Sequence, residues 1–216
     1  MALNKLKFNS LNVTPTAGKG IGFNSSADGL EATFEGGAMT FIKKLTASSS
    51  GTLSFVNGSS DVVLDNTYKE YIFKFIDIHG SGDGVDLTFQ ASTNTGSSYG
   101  VTVTTTDFLA YHNESGSDNN LIYGSNHDLA QSTSFMQLSQ DIGAGESDQC
   151  AVGILHLFNP SSTTFVKHYI SRFNNYHDSN YSMGNFGAGY FNTTSAIDAI
   201  QFKMSSGNID SGTITL

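Results

Sequence analysis

The stretch that decides the fold is Asn66–His79, which reads NTYKEYIFKFIDIH. It is the longest run of β-branched and aromatic residues, and it contains no Gly and no Pro in a chain with 23 Gly. Because alternate side chains of a strand point to opposite faces, Tyr71, Phe73 and Phe75 share one face. The opposite face carries a second apolar set, Ile72, Ile76 and Ile78. This pattern predicts a central strand with one face in the core and a half-apolar face that something partly covers.

Further strand patterns recur at intervals of roughly ten residues from Met39 onward. They are predicted at 40–45, 52–56, 85–91, 99–105, 132–138, 151–158, 163–173, 181–191, 200–204 and 214–216. No long helix is predicted beside them. About ten short strands joined by Gly-, Ser- and Asn-rich turns predict an all-β fold, an antiparallel jelly-roll β-sandwich.

Four of these segments carry sharper expectations. Residues 85–91 alternate apolar and polar side chains, which predicts a strand with one face in water. Residues 151–158 are apolar on both faces, which predicts a fully buried strand. Asn57-Gly58 predicts a hairpin turn into the central strand. Residues 106–150 look least like strands, and Phe108–His112 is expected to form a helical turn or a short strand.

The chain divides by composition into two regions. Residues 1–38 hold only scattered apolar positions among Gly, Ser and Thr, which predicts an extended N-terminal assembly arm rather than a core of its own. Residues 39–216 form the predicted jelly-roll β-sandwich body. We expect the arm to pack on a neighbouring subunit or on its own body, and an extended arm that pairs with a partner strand is a common assembly device.

Charge separates the same two regions. The net charge is −9. Residues 1–20 contain Lys5, Lys7 and Lys19 and no acid, whereas residues 75–166 contain no Lys or Arg and ten acids. Such a body repels phosphate, so we expect no nucleic-acid partner. The basic start favours docking of the arm on an acidic neighbour, with a solvated terminus as the alternative.

The cysteine content and the hydropathy of the sequence bear on the cellular compartment of the protein. Cys150 is the only cysteine, so no intrachain disulfide forms, and no base nearby in sequence marks it as a nucleophile. The first residues lack the apolar segment of a secretory signal. No apolar run approaches the roughly 18 residues of a membrane helix, so we expect no membrane insertion.

Candidate chemical sites are weak. Asp77, His79, Asp83 and Asp86 flank a glycine-rich loop and offer oxygen ligands for a hard cation, but the twelve-residue calcium-loop pattern is absent. Solvated acids explain them better. His156 and His168 are expected to face each other across a hairpin. Glutamates are too scarce to indicate the paired carboxylates of a glycoside hydrolase. We therefore assign no catalytic, cofactor-binding or metal-ligating residue.

Tyrosines are the remaining candidates for binding. Jelly-roll proteins often bind glycans with aromatic platforms, and this chain has no Trp. Five tyrosines lie in or near predicted loops: Tyr99, Tyr111, Tyr123, Tyr176 and Tyr181. Ordinary turn and core tyrosines are the competing interpretation.

Four segments carry a resemblance to a known family. They are Phe41–Ser48 (FIKKLTAS), Tyr68–His79 (YKEYIFKFIDIH), Leu157–Ser162 (LFNPSS) and Ile197–Leu216 (IDAIQFKMSSGNIDSGTITL). Together they resemble uncharacterised virion structural proteins of marine tailed bacteriophages, including tail-fibre-like proteins, and the resemblance covers about residues 39–216. These are structural motifs, so no functional residue is carried over from the family.

The resemblance implies a non-enzymatic virion structural protein made in the host cytoplasm. The favoured role is a tail or fibre component, a homo-oligomer with a trimer favoured, that binds other virion proteins through its arm and contacts host surface glycans. One alternative is a capsid decoration protein that cements the shell. An alternative from another class is a secreted carbohydrate-active enzyme.

Overall fold

The computed structural model describes residues 19–23, 26, 29–35 and 39–216. The chain forms two compact units, Met1–Phe41 and Ile42–Leu216. In the first unit, β1 (Lys19–Phe23) and β2 (Leu30–Glu35) pair antiparallel as a hairpin. The predicted arm thus contains a hairpin where it is described, and residues 1–18 lie outside the described residues.

The second unit contains twelve strands. They are β3 (Lys44–Thr46), β4 (Leu53–Val56), β5 (Glu70–Gly80), β6 (Val85–Ser92), β7 (Val103–Asn113), β8 (Asn119–Tyr123), β9 (Met136–Ile142), β10 (Ala151–Phe158), β11 (Lys167–His177), β12 (Tyr181–Phe191), β13 (Ala199–Met204) and β14 (Ile209–Thr215). No helix occurs in the described residues. The predicted all-β class is therefore confirmed.

These strands form one twelve-stranded sheet that curves back on itself into a nearly closed, barrel-like arrangement, so that β13 faces β5 across the core. The longer section of this sheet, called here the large sheet, has the order β3-β14-β5-β10-β11-β12-β7-β8, and the shorter section, called the small sheet, has the order β4-β13-β6-β9. Every pairing is antiparallel. The ladder pair between His177 of β11 and Ile142 of β9 joins the two sections. Between them, the ring centroid of Phe202 lies 5.3 Å from that of Phe73, a spacing typical of interlocked aromatic cores.

The central strand is β5, and it confirms the first predicted face. Tyr71, Phe73 and Phe75 are all buried. The assignment of Ile78 to the opposite face is wrong, because Ile78 is also buried. A β-bulge reverses the alternation: Asp77 has φ of 52°, and the register with β14 shifts there.

Strand β6 is covered on both faces, contrary to the prediction of one wet face. The polar side chains Thr88 and Gln90 are buried along with the apolar ones. The segment before β9 lies over them: Gln90 Nε2 donates to the carbonyls of Thr133 and Ser134 at 3.2 and 2.7 Å. The amide therefore keeps its hydrogen bonds without water.

Strand β10 is exposed on one face, contrary to the prediction of full burial. Leu155 and Leu157 point into the core, whereas Val152 and Ile154 are exposed at 41% and 37%. The exposed residues lie on the outer face of the large sheet, opposite the small sheet.

Strand β7 replaces the helical turn or short strand expected at Phe108–His112. It runs for 11 residues and pairs along its length with β12, and it pairs with β8 on its other edge. Hydrogen bonding on both edges overrides the weak local preference of this segment.

The Asn57-Gly58 turn is present but does not make a hairpin. Gly58 has φ of 76°, as such a turn requires. Yet β4 pairs with β13 in the small sheet, and β5 pairs with β14 and β10 in the large one. The turn begins a crossing between sheets, which Asn57 supports by accepting a 2.9 Å hydrogen bond from the Leu64 amide.

Buried polar groups fasten β11. Lys167 has no exposed surface, and its Nζ donates to the carbonyls of Thr193 and Ser195 at 3.1 and 2.6 Å. Burial lowers the pKa of this ammonium group. At the other end of the strand, Asn175 Nδ2 donates to the Gln140 carbonyl at 2.9 Å and so ties β11 to β9.

Candidate functional site

A groove with a volume of about 470 Å³ opens where β7, β10, β11 and β12 end or begin. It is lined by His112, Asn113, Glu114, Asp148, Cys150, Val152, Asn174, Asn175, Tyr176, Tyr181 and Ser182. Register places these residues together: Tyr176, Ser182 and His112 are direct neighbours across three strands. The volume lies in the range of small-molecule sites.

Two tyrosines form the aromatic part of the groove, and both are held in place. The Tyr176 hydroxyl donates to Asn180 Oδ1 at 3.0 Å, and the Tyr181 hydroxyl donates to Asp118 Oδ2 at 3.1 Å. Tyr111 packs edge-on against Tyr181 with ring centroids 5.5 Å apart. Rings fixed at both ends are preorganised surfaces for a ligand.

Acidic side chains near the groove help to keep the hydroxyls of its two tyrosines protonated. Burial, together with the neighbouring Glu114 carboxylate, raises the pKa of Tyr176. The hydrogen bond to Asp118, with burial, raises the pKa of Tyr181. Both hydroxyls therefore remain protonated donors at neutral pH. Because the described lining holds acids and no Lys or Arg, it disfavours anionic ligands.

Amides complete the polar lining. Asn174 Nδ2 donates to the Met183 carbonyl at 3.0 Å, which fixes its side chain across the β11–β12 pair. Asn113 Oδ1 accepts the amides of Ser117 and Asp118, each at 3.0 Å, and so shapes the loop that carries Glu114. These contacts make the groove wall rigid.

The lining suits a neutral, hydroxyl-rich ligand. Amide and carboxylate groups bond hydroxyls, while aromatic rings and Val152 accept apolar C–H faces. Cys150 does not add nucleophilic chemistry. Burial raises the pKa of its thiol, and the charges of Asp77 and Asp148 act in the same direction. The thiol therefore stays protonated at neutral pH and is a poor nucleophile.

Three of the five candidate tyrosines meet at this groove: Tyr176 and Tyr181 line it, and Tyr111 supports them. The other two do not. Tyr123 lies on β8 and its hydroxyl donates to Asp128 Oδ2 at 2.7 Å. The Tyr99 hydroxyl lies beside Gly96 in the loop after β6.

The acidic loop after β5 has structural partners. Asp83 Oδ1 accepts the amides of Ala144 and Gly145 at 2.8 and 3.2 Å, and Asp86 Oδ1 accepts the amide of Asp141 at 3.0 Å. These bonds hold the loop after β9 against β6. Among the described residues, no group of three or more His, Cys, Asp and Glu side chains is placed to hold a metal ion.

The two strand histidines do not face each other. His156 pairs with Ile170, and its Nδ1 lies 2.6 Å from Glu70 Oε1. His168 pairs with Tyr190 on the other side of β11. The expected pairing was wrong because the β10–β11 register pairs Leu157 with Tyr169, so His168 lies two residues away from the partner of His156.

Several residues that line the groove were not predicted from the sequence. Glu114 and Asp148 lie in loops far apart in sequence, and no spacing connects them. Asn174-Asn175 offered a signal, because two adjacent amides inside a strand need partners or a ligand. Of Asn174, Asn175 and Tyr176, only Tyr176 was predicted from the sequence as a candidate binding residue.

No protein-family model, curated protein or solved structure matched this chain when it was compared with each set. No helix in the described part of the chain is long and apolar enough for a membrane span.

Proposed function

We propose that the body is a jelly roll with two insertions. Without β7, β8, β11 and β12, the remaining eight strands pair as β3-β14-β5-β10 and β4-β13-β6-β9. Counted along the chain, these orders are first-eighth-third-sixth and second-seventh-fourth-fifth. That is the order of the two interleaved Greek keys of a jelly roll. The four other strands extend one sheet beyond β10.

We further propose that the protein is a non-enzymatic virion structural protein of a tailed bacteriophage. One observation carries this proposal. The four segments that resemble phage virion proteins fall on β3, β5, the end of β10, and β13–β14. Since β3, β14, β5 and β10 are consecutive neighbours in the large sheet, segments scattered along the chain form one continuous structure. This supports a shared structural body rather than chance similarity of short motifs.

Within the virion, we place the protein in the tail or fibre, with its N-terminal region bound to other virion proteins. A density map of the intact particle tests this placement. Density for the jelly roll on the tail is the expected result. Density on the shell would replace the tail assignment with capsid decoration. A chain lacking residues 1–38 should fold but fail to join particles, and normal incorporation would overturn the role of the arm.

We assign contact with neutral host surface glycans to the groove. The rigid tyrosines, amides and acids of its lining support this ligand class over anionic glycans. A glycan array probed with the full chain should show binding to neutral glycans. Tyr176→Ala should weaken that binding by about tenfold, the loss expected for one stacking ring. Tyr176→Phe should retain most of it, and Tyr99→Ala serves as a control outside the groove.

The array outcomes separate the competing functions. Absence of neutral-glycan binding would remove host contact and leave the structural role intact. Hydrolysis of a bound glycan would support a carbohydrate-active enzyme, and Glu114→Gln and Asp148→Asn would then identify the carboxylates involved.

A further inference from the structure

The carboxylates of the groove lack a cationic partner. Glu114 and Asp148 both line the groove and are exposed. Among the described residues, neither carboxylate forms an ion pair, and residues 75–166 contain no Lys or Arg. Arg172 lies on β11 but does not line the groove, and its guanidinium carbon lies 5.2 Å from the ring centroid of Phe186. The groove therefore carries a negative charge that the described part of the chain leaves unbalanced.

The histidines near the groove do not pair with these acids. The ring of His177 lies against Tyr181. Its Nδ1 lies 2.8 Å from Asp178 Oδ1 and its Nε2 lies 3.5 Å from Asp141 Oδ2, so it contacts other carboxylates. His112 lines the groove, and no carboxylate among the described residues lies within ion-pair distance of its ring. No described group supplies the missing positive charge, and a ligand in the groove can.

Tyr176 is the aromatic ring beside these acids. Burial, a hydrogen bond to Glu114 and the charges of nearby carboxylates raise the pKa of its hydroxyl. Those carboxylates belong to Glu114, Glu146 and Asp148. Other aromatic rings pack edge-on against Tyr181, whereas no aromatic ring of the described residues packs on Tyr176. An aromatic face beside carboxylates attracts cations, because the electron-rich face and the carboxylates are both negative.

We propose that the groove prefers a glycan with a protonated amino group, which lies on the Tyr176 ring beside Glu114 and Asp148. This inference rests on the proposed glycan function and narrows its ligand class. The amine replaces one hydroxyl, so the remainder of the ligand keeps the neutral, hydroxyl-rich character that the lining suits. Asn174 and Ser182 line the same groove and offer amide and hydroxyl groups to the other sugar hydroxyls.

Three matched glycans test the preference on the full chain. They are the β-1,4-linked tetramers of glucose, glucosamine and N-acetylglucosamine, which carry a hydroxyl, an amine and an acetylated amine at the same ring position. At pH 6 and low salt, calorimetry should show that the glucosamine tetramer binds about tenfold more tightly than the other two, through an ion pair and a cation–ring contact. The preference should shrink as salt is raised, because exposed charges are screened.

Variants of the two carboxylates test where the amine binds. Glu114→Gln combined with Asp148→Asn should lower the preference for the glucosamine tetramer over the glucose tetramer to less than about threefold. Asp61→Asn combined with Asp65→Asn removes the same two charges from exposed positions outside the groove and should keep the preference at about tenfold. A preference that survives in the groove variant, with an unchanged circular dichroism spectrum, overturns the role of these acids.

Controls for charge and for the glycan itself complete the test. A lysine tetramer carries comparable positive charge without sugar rings and should bind at least tenfold more weakly than the glucosamine tetramer. Equal affinity for these two would mean that net charge alone attracts cations, and would refute the inference. Equal affinity for the glucose and glucosamine tetramers would also refute it, but would leave a neutral-glycan site. An array on which no glycan binds would remove the glycan function itself.

Discussion

In strands β6 and β10, the sequence pattern and the solvent exposure of the faces disagree, and they disagree in opposite directions. Strand β6 alternates apolar and polar residues yet is covered on both faces, and its buried Gln90 bonds the chain segment above it. Strand β10 is apolar on both faces yet leaves Val152 and Ile154 exposed.

The difference shows that alternation reports the chemistry of a face and not its solvent exposure. A polar face is covered when a neighbouring segment satisfies its hydrogen bonds. An apolar face stays exposed when its cover comes from another molecule. On this interpretation, β6 completes its contacts within the chain and β10 does not.

The largest effect should come from the inner face of β10. Leu155→Ala removes a side chain with no exposed surface and should reduce the free energy of unfolding by about 2–5 kcal/mol. Denaturant unfolding measures the loss. A change below about 1 kcal/mol would contradict the packing of β10 against the small sheet.

The next effect should come from the covered polar face of β6. Gln90→Ala leaves the carbonyls of Thr133 and Ser134 without their donor and should cost about 1–3 kcal/mol. Its cross-strand neighbour Gln201 is half-buried and donates to Ser54 Oγ, so Gln201→Ala should cost less. Equal losses in denaturant unfolding would mean that the cover over β6 contributes little.

The half-buried carboxyl group of Asp107 should make the free energy of unfolding depend on pH. Burial raises the pKa of Asp107 to about 6. Its folded pKa lies above the unfolded value, so its contribution is complete below about pH 4 and is lost as pH rises through about 6. Asp107→Asn should therefore be more stable than the native chain above pH 6, by about 1 kcal/mol for this half-buried group, and similar to it at pH 4.

Melting temperatures between pH 4 and 8 measure this difference. Glu146→Gln, which also removes one carboxyl but from an exposed position, is the control for the change in net charge. A constant offset between Asp107→Asn and the native chain across this range would show that the carboxyl is not titrating there.

The smallest effect should come from the outer face of β10. Ile154→Thr keeps a strand-forming residue at an exposed position and should change the free energy of unfolding by about 0.5 kcal/mol or less. Denaturant unfolding under the same conditions as Leu155→Ala provides the comparison. A loss as large as that of Leu155→Ala would show that the outer face is covered in solution.

Much of the fold follows from local pattern. The bounds of β10 and β12 agree with the prediction, and the buried face of Tyr71, Phe73 and Phe75 is confirmed. The failures arise from non-local pairing. The bulge at Asp77 depends on the register with β14, and the length of β7 depends on two partners that are distant in sequence. Local sequence contains neither contact.

The groove was predictable only in part. Tyrosines near turns attract attention because they combine an aromatic face with a hydroxyl, and Tyr176 and Tyr181 were found that way. Glu114 and Asp148 reach the groove from separate loops, and only the order of strands brings those loops together.

The rate at which a reagent labels Lys167 reports how often one region of the body opens. Its amine is buried and bonded to two carbonyls, so an acylating reagent reaches it only when the start of β11 separates from the 193–195 segment. Exposed lysines such as Lys44 and Lys74 react without such opening. The ratio of the two labelling rates measures how often this region opens, in the free chain and within an assembly alike.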